Sequence, residues 1–377
     1  MEVRSLKTLI GRSRYARVTV SLVTALIGGI LFKLLHLPVP WLLGPMLTVL
    51  AGSNFMKESY EWPQQFRSVG MVIVGYTIGL SMTMPALRQM SHQLPNMLLM
   101  TVLLLLLCVG IAFINHRLSG IDYNSALLGS IPGGLTQVIS LAEETEGINL
   151  LAVMMTQVIR LIMIIVIIPL LVFSPFFDHG QTVTTAAIPS TIATAAHSSS
   201  SPLIMLLFAV VCIAGAFLGK KIHLPTPLLL GPVIATATLQ LLGLTGTALP
   251  GWIINAAQLL IGVNVGMMLK PGRMEHKFRT ISIAIGCGLL LVVGAWGLSL
   301  LLVYVQSVSG ATALLSLAPG GMDQMGIIAH EIGADLAIVA GYQLFRTFFI
   351  MFAIPPLIRL LFRIQKKKKS TKQGDIV

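Results

Sequence analysis

The chain has 377 residues, of which 55% are hydrophobic and only 10% charged, and its mean hydropathy is +0.88. A soluble domain carries about a quarter charged residues, so these proportions exclude a water-soluble module and leave a chain that faces lipid and other buried helices. The net charge of +12, from 25 Lys and Arg against 13 Asp and Glu, does not point to nucleic acid, because the basic residues cluster at 4–17, 270–279 and 359–372. Those are short stretches beside apolar segments, where cations set membrane orientation and touch anionic lipid. No folded reader or long basic arm accompanies them, so nucleic acid is not an expected partner.

In chain order, a basic N-terminal stretch covers 1–17. Six apolar segments follow near 18–35, 41–56, 68–87, 94–115, 123–145 and 148–173. A Ser/Thr/Ala-rich linker, 174–201, leads to six more near 202–220, 227–243, 253–269, 279–305, 310–332 and 335–362, and a basic tail covers 363–377. Runs such as 97–113 and 281–305 suit membrane spans of about 20 residues, and an open sheet cannot satisfy its backbone in hydrocarbon, so helices are expected. The first segment is followed by Lys33-Leu34-Leu35-His36, not by the small-residue cleavage site of a signal peptide. Cys108, Cys212 and Cys287 each lie inside an apolar run and read as small buried hydrophobes.

The two sets of six are copies of one unit. A shift of 187 lays LPVPWLLGP at 37–45 on LPTPLLLGP at 224–232, and pairs Gly28 with Gly215, His36 with His223, Gly75 with Gly262 and Gly79 with Gly266. It also lays Pro132, Gly133, Gly134, Thr136 and Gln137 on Pro319, Gly320, Gly321, Asp323 and Gln324, and Glu144 on Glu331. After a one-residue deletion, Gln157 and Arg160 fall on Gln343 and Arg346. Such a register through Gly and Pro positions marks a tandem duplication.

The fifth segment of each copy is split by Pro-Gly-Gly, which breaks helical hydrogen bonding. If all six segments cross, Lys and Arg divide 15 to 8 between the two sides. If the fifth enters and leaves on one face, the copies are inverted and the division becomes 21 to 2, with only Lys33 and Arg88 outside. The positive-inside rule selects the second arrangement, with both termini cytoplasmic and the linker outside. The expected fold is therefore an all-α polytopic membrane protein of two tandem inverted repeats, each with about five transmembrane helices and one broken or re-entrant segment.

Inverted units whose broken segments meet near the midplane are a transporter architecture. Free N–H groups at such breaks suit an anion and freed carbonyls a cation; the structural alternative is a packing kink. Asp323 stands in an apolar segment where a carboxylate costs about 3 kcal/mol unless paired or wetted. It either holds a coupling cation or proton, or forms a structural ion pair with an arginine. Arg160 and Arg346 fall about a dozen residues into their helices, roughly 17 Å deep in a 30 Å layer. They either hold an anionic solute or pin the broken segment through its carbonyls or Asp323, and Gln157 and Gln343 share their helical face. The candidate solute site is thus Pro132, Gly133, Gly134, Thr136, Gln137, Arg160, Pro319, Gly320, Gly321, Asp323, Gln324 and Arg346, with Asp323 and Glu331 as coupling candidates. Glu143, Glu144 and His330 read chiefly as surface groups.

No HExxH, CxxC, GxSxG or GxxxxGK[ST] motif occurs, and the eight histidines include no i,i+4 pair. No metal, cofactor or enzymatic activity is therefore expected.

At the duplicated LPxPxLLGP and PGGxxQ blocks the chain resembles the membrane AbrB family, bacterial proteins described by the "AbrB duplication" domain, over 18–362. The resemblance implies an inner-membrane protein related in architecture to the cation:proton antiporter and anion transporter superfamily. It also brings two labels, ammonia monooxygenase and regulator of gene expression. The first finds no metal or redox constellation here, and the second requires indirect action, since the chain has no DNA reader. The expected function is a secondary transporter or exporter of a small solute, with anions among the candidates, coupled to H⁺ or Na⁺. The alternative is a membrane sensor that influences gene expression indirectly. Expected partners are the solute, the coupling ion and anionic lipid; a homo-oligomer is compatible with this reading.

Overall fold

The computed structural model describes residues 13–56, 59–132, 138, 142, 148–174, 202–268 and 277–374. Among these there is no strand, and thirteen helices can be numbered in chain order. The first copy supplies α1 (Arg14–Leu34), α2 (Pro40–Phe55), α3 (Gln64–Ser81), α4 (Met84–Ser119), α5 (Tyr123–Ser130) and α6 (Leu150–Val172). The second supplies α7 (Pro202–Lys221), α8 (Pro227–Leu241), α9 (Gly251–Met268), α10 (Lys277–Gln306), α11 (Gly310–Leu317), α12 (Met322–Glu331) and α13 (Leu336–Gly374). Seven of them (α1, α4, α6, α7, α9, α10 and α13) are long and apolar enough to cross a membrane, so this is a membrane protein.

Two boundaries differ from the sequence reading. The third and fourth segments, expected at 68–87 and 94–115, are helices Gln64–Ser81 and Met84–Ser119. The apolar run continues across the junction, but Thr83 caps the new helix by accepting from the Ala86 N–H, and Pro85 sits in its first turn, where no intrahelical donor is needed. Residues 363–374, read as a tail, continue α13.

Matched positions of the two sequence repeats share backbone detail. His36 and Val39 adopt left-handed φ values of 51° and 48°, and their mates His223 and Thr226 have 55° and 46°. A β-branched residue in that region is strained by about 1–2 kcal/mol, yet both copies keep it at the turn into the LLGP helix. Within each copy the first two helices touch through glycine: a Cβ on Gly28 would lie 2.6 Å from the Gly44 carbonyl oxygen, and one on Gly215 2.7 Å from that of Gly231.

Between copies the third helix of one packs on the second helix of the other. A Cβ on Gly75 would lie 2.6 Å from the Leu229 carbonyl, and one on Gly79 2.9 Å from that of Val233 and 2.5 Å from the Thr236 Cβ. A Cβ on Gly262 would lie 2.5 Å from the Leu42 carbonyl, and Gly266 faces Met46 and Leu50. In each pairing the residue numbers rise together, so α3 runs alongside α8, and α9 alongside α2, in the same direction. Where α3 meets α9 the order reverses: Gly70 faces Ala257 and Ile261, whereas Ile73, Thr77 and Ile78 share a small cleft with Ile254. These glycines let helices approach to backbone contact. Gly262→Ala is expected to cost about 1–3 kcal/mol by overpacking, read as a lower unfolding midpoint in detergent; an unchanged midpoint would mean the helices part freely.

The largest apolar cluster spans both copies, joining Leu42, Met46, Val74 and Ile78 with Leu229, Val233, Ile261, Leu315 and Val339. The halves therefore share one interior, and the broken segment of the second copy packs into it, whereas Leu127, Leu128 and Ile131 of the first copy lie in a separate cluster with Ala112, Val153 and Ile350.

Candidate functional site

In the second copy the Pro-Gly-Gly segment consists of two short helices. Ser309 caps α11, accepting from the Thr312 N–H at 3.2 Å, and the helix ends at Leu317 before Ala318-Pro319-Gly320-Gly321. At 1.5 Å per residue, α11 and α12 are about 12 and 15 Å long, so neither can cross a bilayer alone. The Thr312 hydroxyl accepts the Asp335 N–H at 3.1 Å, Leu315 and Ala318 lie beside Gln343, and Gly320 lies beside Arg346. Thus α11 advances along α13, and α12 returns to the end where α13 begins, which makes the segment a helical hairpin. The first copy repeats the anchoring bond: the Asn149 N–H donates to the Ser125 hydroxyl at 2.9 Å. Asn149 and Asp335 then cap their helices, accepting from Ala152 and Ile338 at 3.0 Å.

A Gln-x-x-Arg pair closes each α5 or α11 terminus. A helix leaves its last carbonyls without intrahelical partners, and here side chains from the sixth helix supply the donors. Gln157 Nε2 donates to the Leu128 and Ile131 carbonyls at 2.8 and 2.9 Å, and Arg160 donates to those of Gly129, Ser130 and Ile131 at 3.4, 3.0 and 3.0 Å. In the second copy Gln343 reaches Leu315 and Ala318 at 2.8 and 3.1 Å, while Arg346 reaches Leu317, Ala318 and Gly320 at 3.3, 2.9 and 3.1 Å. Each arginine also donates to the glutamine three residues earlier. Both arginines are buried. The arginines thus pin the break through its carbonyls, and Asp323 is not among their acceptors.

Asp323 occupies the first turn of α12, where a carboxylate is favoured by the helix dipole. It is buried, as is Gln324, whose Nε2 donates to Asp323 Oδ2 at 3.1 Å. Both side chains fold back over Gly321: a Cβ there would lie 2.5 Å from Asp323 Oδ1 and would collide with Gln324 Oε1. The Gln324 Oε1 atom has no hydrogen-bond partner. Arg67, on α3, faces Asp323 with its Nη2 4.0 Å from Oδ2, a loose pair whose arginine side is 39% exposed.

Glu331, at the far end of α12, is exposed and accepts from Gln258 Nε2 at 2.6 Å, while Gln258 itself is wholly buried on α9. His330 is exposed and lines the cleft with Thr77 and Ile254. Asp323 and Glu331 therefore stand at opposite ends of α12, about 12 Å apart by helix rise. Pro132 is half-buried just beyond the α5 clamp, whereas Gly133, Gly134, Thr136, Gln137, Glu143 and Glu144 lie outside the described residues. Among the described residues no group of three His, Cys, Asp or Glu could hold a metal ion.

Arg67 and Gln258 are absent from the sequence-derived site. Arg67 falls at the edge of an apolar segment and counts there as an interfacial cation. Gln258 has Met71 as its repeat mate, so the duplication gives no sign of it. An uncharged polar residue in an otherwise apolar span was the available signal.

Comparison with known proteins agrees with the sequence resemblance. A family model described as "Transition state regulatory protein AbrB" matches residues 41–362. The chain is 27% identical over 354 residues to "Putative regulator AbrB" of Escherichia coli (strain K12), covering 92% of this chain and 97% of that protein. It is 24% identical over 364 residues to "Uncharacterized protein YhjN" of Bacillus subtilis (strain 168), covering 92% and 94%.

Proposed function

The chain belongs to the AbrB family, and from that premise we propose that it is a secondary transporter or exporter of a small solute, working by alternating access and coupled to H⁺ or Na⁺. The observation that carries this reading is the buried helical hairpin of the second copy, with Asp323 beside its turn and the Arg346 clamp across it. Irregular backbone at membrane depth is tolerated where it lines a cavity or is wrapped by protein, and in secondary transporters such breaks mark the solute site.

The copies are inverted in this reading, and the glycine contacts support it. The helix α2 runs with α9, α9 runs against α3, and α3 runs with α8; α2 and α8, which are repeat mates, therefore oppose one another. The protein lies in the bacterial inner membrane with both termini cytoplasmic, anionic lipid at the basic segments, and the two Pro-Gly-Gly segments approaching from opposite faces. Asp323 takes the coupling ion and Arg67 yields its place beside the carboxylate when the ion binds. The solute contacts the Pro-Gly-Gly motifs Pro132–Gln137 and Pro319–Gln324, beside Arg160 and Arg346. No nucleic acid takes part, and neither relative carries an enzyme's name.

Solute flux into proteoliposomes under imposed H⁺ or Na⁺ gradients tests the proposal. Gradient-dependent uptake is expected; a ligand that stabilises the protein but never crosses would defeat transport. That outcome favours the second reading, a membrane sensor acting indirectly on gene expression, which the name of the Escherichia coli relative supports.

A further inference from the structure

Asp323 and Gln324 adjoin in the first turn of α12 and are only 6% and 3% exposed. Gln324 Nε2 donates to Asp323 Oδ2 at 3.1 Å, which fixes the amide, because turning it over would set its oxygen against the carboxylate. The other halves of the two groups are neighbours as well. Asp323 Oδ1 and Gln324 Oε1 both lie within 2.5 Å of the point that a Gly321 Cβ would occupy. Gln324 Oε1 has no hydrogen-bond partner among the described residues, and a buried acceptor left in that state is costly. A carboxyl and an amide placed side by side close a ring of two hydrogen bonds once the carboxyl is protonated. One bond of that ring is present here, and the two oxygens of the other stand over the same glycine.

We propose that the coupling ion is a proton, carried by Asp323 and Gln324 as an acid–amide pair in which Asp323 Oδ1–H donates to Gln324 Oε1. The word coupling rests on the transporter reading; the proton site does not. A proton from the aqueous phase adds to Oδ1, no bond breaks, and the pair becomes neutral with its amide oxygen satisfied. Na⁺ fits the same place poorly. A hard cation exchanges its water for several oxygens, about six for ions of this kind, and the carbonyls of this break are already engaged. Those of Leu315, Leu317, Ala318 and Gly320 accept from Gln343 and Arg346, and that of Gly321 accepts the Met325 N–H at 3.0 Å.

Of the helices packed on α12, α3 brings Arg67, α13 brings Arg346 with its donors on carbonyls, and α11 brings no charged group. Tyr76 of α3 and Tyr342 of α13 donate elsewhere, to Thr247 and Gln306. Proton uptake therefore discharges the carboxylate that Arg67 faces and frees this half-exposed arginine toward solvent. Because α3 belongs to the first copy and α12 to the second, the proton loosens a contact between copies.

Infrared difference spectra of the purified full-length protein, taken in detergent between about pH 8 and about pH 5, read the proton itself. The wild type is expected to show a protonated-carboxyl C=O band that is lost in Asp323→Asn. In Gln324→Met, which keeps the side chain's length without its amide, that band is expected to move to higher frequency, since the acid has lost its acceptor. Should Gln324→Met fail to fold, Gln324→Asn, which withdraws the amide by one methylene, takes its place. Asp323→Asn sets an N–H where the proton would stand, and is expected to unfold no lower than the wild type at about pH 8. The proposal is overturned if no band depends on Asp323, if the band keeps its frequency in the Gln324 variant, or if Asp323→Asn unfolds well below the wild type. It is overturned equally if Na⁺, exchanged for choline at constant ionic strength, stabilises the wild type saturably and Asp323→Asn not at all. The Asp323 band without any solute flux would leave this site standing and remove transport; flux that follows a Na⁺ gradient, with no Asp323 band, would do the reverse.

Discussion

Arg346→Ala is expected to lower stability by about 2–4 kcal/mol. The change removes donors to three carbonyls, Leu317, Ala318 and Gly320, and the partner of Gln343 Oε1. Each buried acceptor left without a partner costs about 1–3 kcal/mol, and the loss of one buried positive charge returns part of that. Thermal unfolding in detergent measures the sum. Arg346→Lys, which retains the charge but not the planar array of donors, should lose less. If Arg346 served only as a solute ligand, alanine would leave the ligand-free protein within about 0.5 kcal/mol of wild type, as expected for a group with no structural partner. That result would remove the clamp from the account.

Asp323→Asn is expected to abolish ion coupling while leaving the protein folded. The substitution keeps the side chain's shape and the Gln324 neighbour, and it gives up a 4.0 Å pair with a partly exposed arginine. Such a pair contributes about 0–1 kcal/mol, so the unfolding midpoint should move little. Solute flux in proteoliposomes should no longer follow the H⁺ or Na⁺ gradient. Coupling that persists in Asp323→Asn would assign the ion to another residue, with Glu331 the next group to test. The two substitutions thus separate hairpin architecture from ion chemistry: one acts on stability and the other on the gradient dependence of flux.

Much of the fold was legible because membrane helices carry long apolar signals and the duplication repeats each of them. Close helix approach at Gly75, Gly79, Gly262 and Gly266 follows from small residues at helical spacing, whereas their partners, α8 and α2, are set by the tertiary arrangement. The break at Ala318–Gly321 follows from Pro-Gly-Gly. The junction at Ser81–Thr83 was hidden because hydropathy does not fall there; only the Thr83 cap and Pro85 mark it. The site was harder to read. Backbone carbonyls are the targets of Gln157, Arg160, Gln343 and Arg346, and a carbonyl leaves no residue-specific trace in a sequence. The helical spacing put each glutamine and arginine on one face; the hairpin geometry decided what that face touches. Arg67 was hidden because a cation at a helix end is commonplace, and its approach to Asp323 depends on α12 packing against α3.

The proposed transport cycle requires the two copies to lie in opposed orientation. A reporter fused at Ala195, in the linker, compared with one fused at Lys372, measures it most directly. The account predicts that the Ala195 fusion reports from the extracytoplasmic side and the Lys372 fusion from the cytoplasm. Both reporters on the same face would make the copies parallel and contradict it.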